Sequence, residues 1–575
     1  MARRLVVGHF VHFSHFVHFI HFFMTETSVP EAQAPGATVD GEMSPGTGSR
    51  GQALLLAVRG LCVDRPDGTP LLVDVELELR AGEVVALFGA SGAGKSTLTT
   101  ALHEPESLRA RGFVVRAGPG LVATGVGIVP QRGALFDHLS AADNIALALR
   151  NAEPPMAADE AAVRAWIARV DLPPTWAARG HAVAHVSGGE AQRLAVARTL
   201  AGGRKILLLD EPSVGLDPLR VGLLAATLRA QIAAGGAAAL VVTHDLGFAA
   251  ALADRFLYMD PATRRPVVLP VPPARSPGEV AAVEQALALE VRERLSRETA
   301  HSHTPVRAGW GAHLRVMLAE RLAPFVTAAR VLAAVPAALR RPRDFVEVAR
   351  VTLGQALWRP APFFAVVSLL VGCTLLYIFH RALGGGGLPV RADRVFSLIG
   401  SMHVLALAPP LSAILFAATS GSAIAAWLGG MSLTRQTAAL RGLGISEPRY
   451  LWLPAWLVLA LSYLVLAAVF TAGMVAGGVA YLQLYAAEAG DAWALVTADL
   501  VDPPAERAVF RTRAVVLIVI YALGIASDAV AKGTQEKASA ESVTAAMVRS
   551  VMACTLWVVA VELVSLLVVY GARGD

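Results

Sequence analysis

The stretch EVVALFGASGAGKSTLTTAL, Glu83–Leu102, decides the fold of the N-terminal half. It opens on the apolar run Val84–Phe88, which reads as a buried strand, passes through a glycine loop and continues as a helix from Lys95. The loop fits GxxxxGK[ST] from Gly89 to Ser96. Between a strand and a helix such a loop is a phosphate cradle: Gly89, Gly92 and Gly94 let the backbone come close, Ala90, Ser91 and Ala93 add amides, and the helix N-terminus adds partial positive charge. Lys95 then reaches the β- and γ-phosphates of a nucleotide, Ser96 ligates Mg2+, and Thr97 follows in the first helical turn.

Working outward, Lys205–Asp217 reads KILLLDEPSVGLD, four apolar residues followed by two carboxylates, as expected of a central strand that ends at the nucleotide. Asp210 is expected to hold Mg2+ and Glu211 to polarise the attacking water as general base. A second such strand, AALVVTHD, runs up to His244. A histidine there is either a structural residue or a sensor of the γ-phosphate.

These motifs resemble the ABC ATPases over roughly Leu54 to Leu269. The most specific mark is Val186–Leu200, VSGGEAQRLAVARTL, similar to that family's LSGGQ signature, with Val186 and Glu190 as departures. Gln131 in VPQRGALFDHLS fits the Q-loop, a catalytic and Mg2+-ligating position, and Asp217 fits the D-loop. The resemblance implies ATP and Mg2+ as cofactors. It also implies a head-to-tail dimer in which Ser187, Gly188 and Gly189 of one copy close over the ATP held by Lys95 of the other. The family usually stacks an aromatic on adenine; the matching stretch GLCVDRPDGTP offers Arg65, whose planar guanidinium can stack instead. Weak discrimination among purine triphosphates is the expectation.

At 575 residues the chain is too long for one core. A hydrophobic fraction of 55%, a mean hydropathy of +0.53 and 17% charged residues lean toward a membrane protein. Apolar runs stay short up to about Pro270 and lengthen after Trp358 to spans that can cross a bilayer, which takes roughly 20 residues. The net charge of +5 is small for this length and the arginines are scattered, which argues against a nucleic-acid partner. Cys62, Cys373 and Cys554 lack metal or disulfide spacing.

The fold expected is an α/β P-loop NTPase domain of the ABC type followed by an all-α polytopic transmembrane domain of about five spans. The division is an N-terminal segment, 1–50, then the nucleotide-binding domain, 51–270, a linker, 271–340, and a permease domain, 341–575. From His9 the chain repeats HFV, HFS, HFV, HFI, HFF, with a histidine every third residue. Histidines at that spacing can form a metal-binding stripe on a helix. The preferred expectation is that translation starts at Met24 and that the repeat is translated upstream DNA. Thr25 to Arg50 reads as a disordered lead-in. The linker reads as a solvated connector with an amphipathic helix near Val280–Arg297 and a break around His303. Arg340, Arg341 and Arg343 then precede a segment suited to the cytoplasmic interface.

The spans expected are Ala361–His380, Val395–Thr419, Leu451–Tyr485, Ala514–Ala531 and Val543–Tyr570. The third is overlong and contains Pro454, so it tilts, kinks or leaves the bilayer. With the ATPase cytoplasmic, Arg435, Arg441 and Arg449 lie inside and the acidic stretch Glu488–Glu506 outside, in keeping with the positive-inside rule. Gly384–Gly387 reads as an external turn. Glu562, deep in the last span, faces a partner or cavity, with a substrate role, snorkelling and a structural hydrogen bond all open.

Ala418–Trp456, ATSGSAIAAWLGGMSLTRQTAALRGLGISEPRYLWLPAW, resembles the MlaE-type permeases of the Mla and Mce lipid systems. The matches include Gly421, Ala423–Ala426, Leu428, Gly429, Met431, Thr434, Gln436, Ala439, Leu440, Gly444, Pro448–Leu451 and Pro454. Ser420 stands where that family often has arginine, and Trp427, Arg435 and Ala438 replace acidic positions. Small residues from Gly421 to Ala426 favour close helix packing, and a short helix around Ser432–Leu443 is suited to press on the ATPase.

The resemblance implies an ATP-driven transporter of phospholipid or a related lipid in the bacterial inner membrane, working as a homodimer. The alternatives are an ABC exporter of drugs or lipoproteins, which the coupling-loop pattern disfavours, and a non-transport ABC ATPase, which the spans disfavour. The partners implied are a second copy, membrane lipid and an MCE-domain shuttle. Burying acyl chain is worth about 0.8 kcal/mol per CH2, so baring on the order of 30 methylenes costs roughly 25 kcal/mol. A conduit beyond this chain's own loops is therefore expected.

Overall fold

The computed structural model describes residues 53–571 apart from 91, 117–121, 124, 131–133, 179, 181, 184–185, 215, 299–309, 385–391, 486–490, 502–504 and 538. The histidine repeat, Met24, Ser91, Gln131, the break at His303 and residues 385–387 of the glycine run lie outside the described residues.

The N-terminal part holds two sheets. In the first, β1 (Leu54–Asp64) pairs antiparallel with β2 (Pro70–Arg80) and with the short β4 (Val114–Arg116) and β5 (Val122–Ala123). The second is six-stranded. Its strands β3 (Val84–Phe88), β6 (Val126–Val129), β7 (Ile206–Asp210), β8 (Ala238–Val242) and β9 (Arg255–Asp260) are parallel, and β10 (Arg265–Val268) adds antiparallel to β9. The order is β10-β9-β3-β8-β7-β6. Every residue of β3 and β8 is buried, which is why both read as unbroken apolar runs rather than alternating ones. Because β3, β7 and β8 are parallel neighbours, their carboxyl ends open on one edge, where an α/β sheet holds its ligand.

The helices of this part are α1 (Lys95–His103), α2 (Pro105–Ala110), α3 (Ala141–Asn151), α4 (Glu160–Arg169), α5 (Gly188–Ala201), α6 (Pro218–Gly235) and α7 (Leu246–Leu252). The next helix, α8 (Val280–Glu298), is less of a free connector than its sequence suggests. It buries Val283 and Leu287 on the domain and sets Arg294 5.8 Å from the ring of Tyr258.

The C-terminal part is helical: α9 (Trp310–Leu339), α10 (Pro342–Leu353), α11 (Ala361–Gly384), α12 (Ala392–Phe416), α13 (Ser422–Leu433), α14 (Gln436–Gly442), α15 (Leu453–Tyr485), α16 (Ala492–Val501), α17 (Ala505–Gly533) and α18 (Ala540–Gly571). Among the described residues six helices are long and apolar enough to cross a membrane. Five match the expected spans, and the sixth, Arg321–Leu339, lies in the stretch read as linker. Its arginines and its internal Pro324 and Pro336 hide a continuous helix from a reading based on apolar runs. Pro454 does not break the span, which runs unbroken from the π-turn Pro448–Trp452 into α15; the looser π-turn just before the proline accommodates its missing N–H. The acidic stretch Glu488–Glu506 contains α16, tied to α12 by Ser401 Oγ donating to Val496 O at 3.1 Å.

Glycines set the closest helix contacts. A Cβ on Gly473 or Gly477 of α15 would collide with Ser368 and with the Leu369 carbonyl of α11, and one on Gly372 would strike the Met474 carbonyl. Two π-turns, Gly354–Trp358 and Ala417–Gly421, meet where Ser420 Oγ donates to Ala356 O at 2.9 Å. Ser420 is fully buried there, so the larger arginine of the related permeases has no room. Glu562 is ion-paired with Arg513 at 2.7 Å and accepts from Tyr521 Oη at 3.1 Å. Its partners sit on α17, a pairing invisible in sequence because 49 positions separate Arg513 from Glu562.

Candidate functional site

The loop from Gly89 to Gly94 turns through φ values that side chains avoid, +147° at Gly89, +84° at Gly92 and +100° at Gly94. Added Cβ atoms would come within 2.9 Å of Met259 Cβ at Gly89 and of Leu72 Cδ2 at Gly94. The loop is thus pressed against both sheets. Lys95 opens α1, is buried, and donates to the carbonyls of Gly89 at 2.5 Å and Ala90 at 2.9 Å. Ser96 and Thr97 lie in the first turn, with Ser96 exposed and Thr97 half-buried.

At the end of β7, Asp210 and Glu211 sit beside this loop. Burial raises the Asp210 carboxyl above the ordinary range, against the pull of Arg435, Lys95 and His244 in that order. Burial raises Glu211 as well, opposed by the hydrogen bond and charge of His244. Glu211 adopts φ +50°, held there by its own N–H donating to Val242 O at 2.8 Å. His244, exposed at the end of the neighbouring strand, donates its backbone N–H to Glu211 Oε2 at 3.2 Å and sets Nε2 3.4 Å from Oε1. The carboxylate is therefore oriented by the segment that carries the histidine.

A hydroxyl at Ser96 and a carboxylate at Asp210 are hard oxygen donors of the kind Mg2+ accepts while keeping several waters, so the donor set fits that ion. Gln131 lies outside the described residues, but the segment Ala134–Asn144 beyond it is firmly built. Phe136 N–H donates to Asn144 Oδ1 at 3.0 Å, Asn144 Nδ2 donates back to Phe136 O, and the fully buried Arg198 donates to Ala134 O at 2.7 Å. Arg198 belongs to α5, so it ties that helix to the segment after Gln131. Sequence reasoning missed Arg198 and Asn144, since their roles come from pairings with Ala134 and Phe136 that no motif spacing shows.

Ser187 caps α5, donating from N and Oγ to Glu190 Oε2 at 3.0 and 2.6 Å, and those bonds lower the Glu190 carboxyl. Gly188 has open space around it, whereas a Cβ on Gly189 would strike Leu216. Asp217 caps α6 by accepting from Arg220 N at 3.1 Å. Arg65 lies in the turn between β1 and β2, its N–H donating to Thr69 O at 2.9 Å.

The sheet domain meets the helical part through a polar interface centred on α14, which is shorter than the expected Ser432–Leu443 because the chain turns at Thr434–Arg435. Gln436 Nε2 donates to Asp137 Oδ2 at 2.9 Å, and His103 Nε2 lies 3.4 Å from Ala438 O. Arg441 is ion-paired with Glu104 and lies 3.0 Å from Glu447. Nearby, Tyr450 Oη is 3.1 Å from His138 Nε2 and Trp427 stands edge-on to that imidazole at 5.8 Å. Burial drives His138 down to about 4, so a neutral ring faces the two aromatics. Arg150 of α3 donates to Glu347 of α10 at 2.9 Å, and Ser107 and Arg111 bind Glu536 at 2.6 Å each.

Comparison with known proteins divides the chain the same way. The ABC transporter family model matches residues 72–214, and the Permease MlaE family model matches residues 352–568. The glutamine transport ATP-binding protein GlnQ of Geobacillus stearothermophilus is 34% identical over 200 residues, 33% of this chain and 81% of the relative. GlnQ of Escherichia coli strain K12 is 35% identical over 205 residues, 33% of this chain and 82% of the relative. Among solved structures, CbiO1 of Clostridium perfringens aligns at 23% identity and a TM-score of 0.32, covering 42% of this chain and 96% of its own.

Proposed function

We infer that this chain, which belongs to the ABC transporter family and carries an MlaE permease behind its ATPase in one polypeptide, moves phospholipid or a related hydrophobic lipid across or out of the bacterial inner membrane. Its ATPase domain binds and hydrolyses ATP, and its permease is a membrane domain. The lipid assignment rests on one observation above the others: the permease match spans 352–568 and includes the segment that docks on the ATPase. The GlnQ relatives align with the ATPase alone, so their glutamine says nothing about this permease.

In the mechanism, Lys95 and the loop from Gly89 to Gly94 would bind the phosphates, and Ser96 and Asp210 would hold Mg2+, whose charge would offset that of the phosphates. Glu211, oriented by the His244 segment, takes the proton of the attacking water. Ser187, Gly188 and Gly189 of a second copy close the site, with Asp217 at the same seam. Closure pulls on α14 through Asp137–Gln436 and Glu104–Arg441, which carries the motion into α13 and α15 of the permease.

The assembly is a homodimer, since one ATPase and one permease make half of a two-site machine. Arg441 and Arg449 contact the ATPase, which supports a cytoplasmic face for this end of the permease. An MCE-domain shuttle then receives the lipid outside, sparing the acyl chains from water. Lipid analysis of the purified protein by mass spectrometry tests the reading. Phospholipid retained in fixed ratio to the dimer is expected, and a preparation that holds only a hydrophilic solute would refute it.

A further inference from the structure

Helix α9 is long and apolar enough between Arg321 and Leu339 to cross a membrane, yet the chain is held to the ATPase on both sides of it. Before it, α8 buries Val283 and Leu287 on the ATPase and sets Arg294 beside Tyr258. After it, Arg341 donates to Asn151, and Arg150 reaches Asp344 at 3.4 Å and Glu347 at 2.9 Å. The stretch that joins α8 to α9, Thr299–Gly309, reads TAHSHTPVRAG, with no apolar run to carry the chain through a hydrocarbon core about 30 Å thick. A crossing by α9 would need a second crossing to match it, and the sequence supplies none. The other ATPase contacts keep the same parity. Two long apolar helices lie between the Asp344 contact and Gln436, and two more between Arg449 and Glu536, so each return to the ATPase follows a pair of crossings.

One face of α9 packs on the bundle. Its buried positions are Thr327, Val331, Ala334 and Ala338, a helical stripe, and the helix meets α15, α17 and the turn Pro448–Trp452. That turn is close to the ATPase, since its Arg449 donates to Asn151 at 3.0 Å. The opposite face carries Leu322, Phe325, Leu332 and Leu339, all exposed. From Arg321 to Arg359 the only carboxylates are Asp344 and Glu347, and both are turned to Arg150. Arg321, Arg330, Arg340, Arg343, Arg350 and Arg359 are exposed, and their side chains make no hydrogen bond or ion pair among the described residues. The outward charge of this segment is thus wholly positive, beside an apolar face. At the edge of a bilayer, acyl chains would take the leucines and phosphate headgroups the guanidinium groups.

We propose that α9 does not span the membrane but lies in the leaflet on the ATPase side, where its arginines bind the headgroups of anionic phospholipids. The proposal is independent of what the permease carries. A zwitterionic headgroup brings its own amine against the guanidinium and binds less, whereas each arginine near a surface of net negative charge gains about five-fold in association.

The full chain in vesicles and nanodiscs tests this, with Cys62, Cys373 and Cys554 replaced by alanine for the labelling steps. In sealed phosphatidylcholine–phosphatidylglycerol vesicles whose ATPase faces outward, Gly311→Cys should react with a membrane-impermeant maleimide added outside. Protection of that site until the vesicles are lysed would show that α9 spans and would overturn the proposal. Phe325→Cys should not join two copies on mild oxidation; a disulfide dimer would give this face to the partner copy and overturn it too. In phosphatidylcholine nanodiscs, spin-labelled phosphatidylglycerol should associate with the parent about five-fold or more tightly than spin-labelled phosphatidylcholine. The combined variant Arg321→Gln, Arg330→Gln, Arg340→Gln should bring that ratio below about two-fold, and the three lysine replacements should keep most of it. Equal association of the two lipids with the parent, or an unchanged ratio in the glutamine variant, overturns the headgroup assignment.

Discussion

Glu104 sits at the junction of ATPase and permease, at the end of the Lys95 helix and against Arg441. Burial raises its carboxyl from 4.5 to about 7, even though Arg441 and Arg111 lower it and Glu447 and Glu536 raise it further. The neighbouring His103 is driven down to about 4 by burial and stays neutral above pH 5. A carboxyl raised on folding favours the docked state below its free value of 4.5 and loses that contribution as pH climbs through the docked value near 7. At ~1.4 kcal/mol per pH unit, the part lost between pH 5.5 and 7 is about 2 kcal/mol, or roughly thirty-fold in the opening equilibrium. The perturbation is Glu104→Gln, which keeps the shape and removes the titration. Hydrogen exchange of the segment 436–447, corrected for its intrinsic pH dependence, is the assay. The parent should open about thirty-fold more readily at pH 7.5 than at pH 5.5, while Glu104→Gln keeps only the shallower slope left by Glu347 and Glu447, whose carboxyls burial also raises. An equal slope in both would show that Glu104 does not control docking.

Three further outcomes are expected. Glu211→Gln should lower ATPase turnover by about 10²–10⁴-fold while leaving ATP binding intact, as read by titration beside a phosphate-release assay; turnover near the parent level would remove Glu211 from its role. Ser187→Arg should stop hydrolysis by obstructing closure over the partner copy's nucleotide, and normal turnover would mean that the α5 terminus does not close the site. GTP should be hydrolysed at a rate comparable to ATP, because Arg65 offers a stacking plane without purine-specific hydrogen bonds; a large ATP preference unchanged in Arg65→Ala would show that Arg65 does not touch the base.

Much of this was legible in the sequence because the determinants are local. The glycines of Gly89–Gly94 and the apolar runs ending at Asp210 and Val242 fix strand, loop and helix within a few residues, so the ATP-site motifs read directly. The spans from Ala361 onward were visible for the same reason, since bilayer crossing demands long apolar runs. The features that stayed hidden depend on distant pairs. Arg513 beside Glu562, Arg198 on Ala134 and Glu104 on Arg441 join positions with no shared motif. The extra apolar helix Arg321–Leu339 was masked by its arginines and prolines, and the turn at Arg435 shortened a helix that periodicity alone would extend. The departures Ser420, Trp427 and Ala438 gained their meaning from contacts with Ala356, His138 and His103.

The claim that ATP hydrolysis here moves lipid is tested most directly by transfer of a labelled phospholipid from proteoliposomes to an acceptor. The chain is reconstituted with an MCE-domain protein as the proposed shuttle, and each sample is run with and without Mg·ATP. ATP-dependent transfer by the parent and none by Glu211→Gln is the predicted result. Full-rate ATP hydrolysis by the parent with no lipid transferred, and with turnover stimulated by a hydrophilic solute instead, would contradict it.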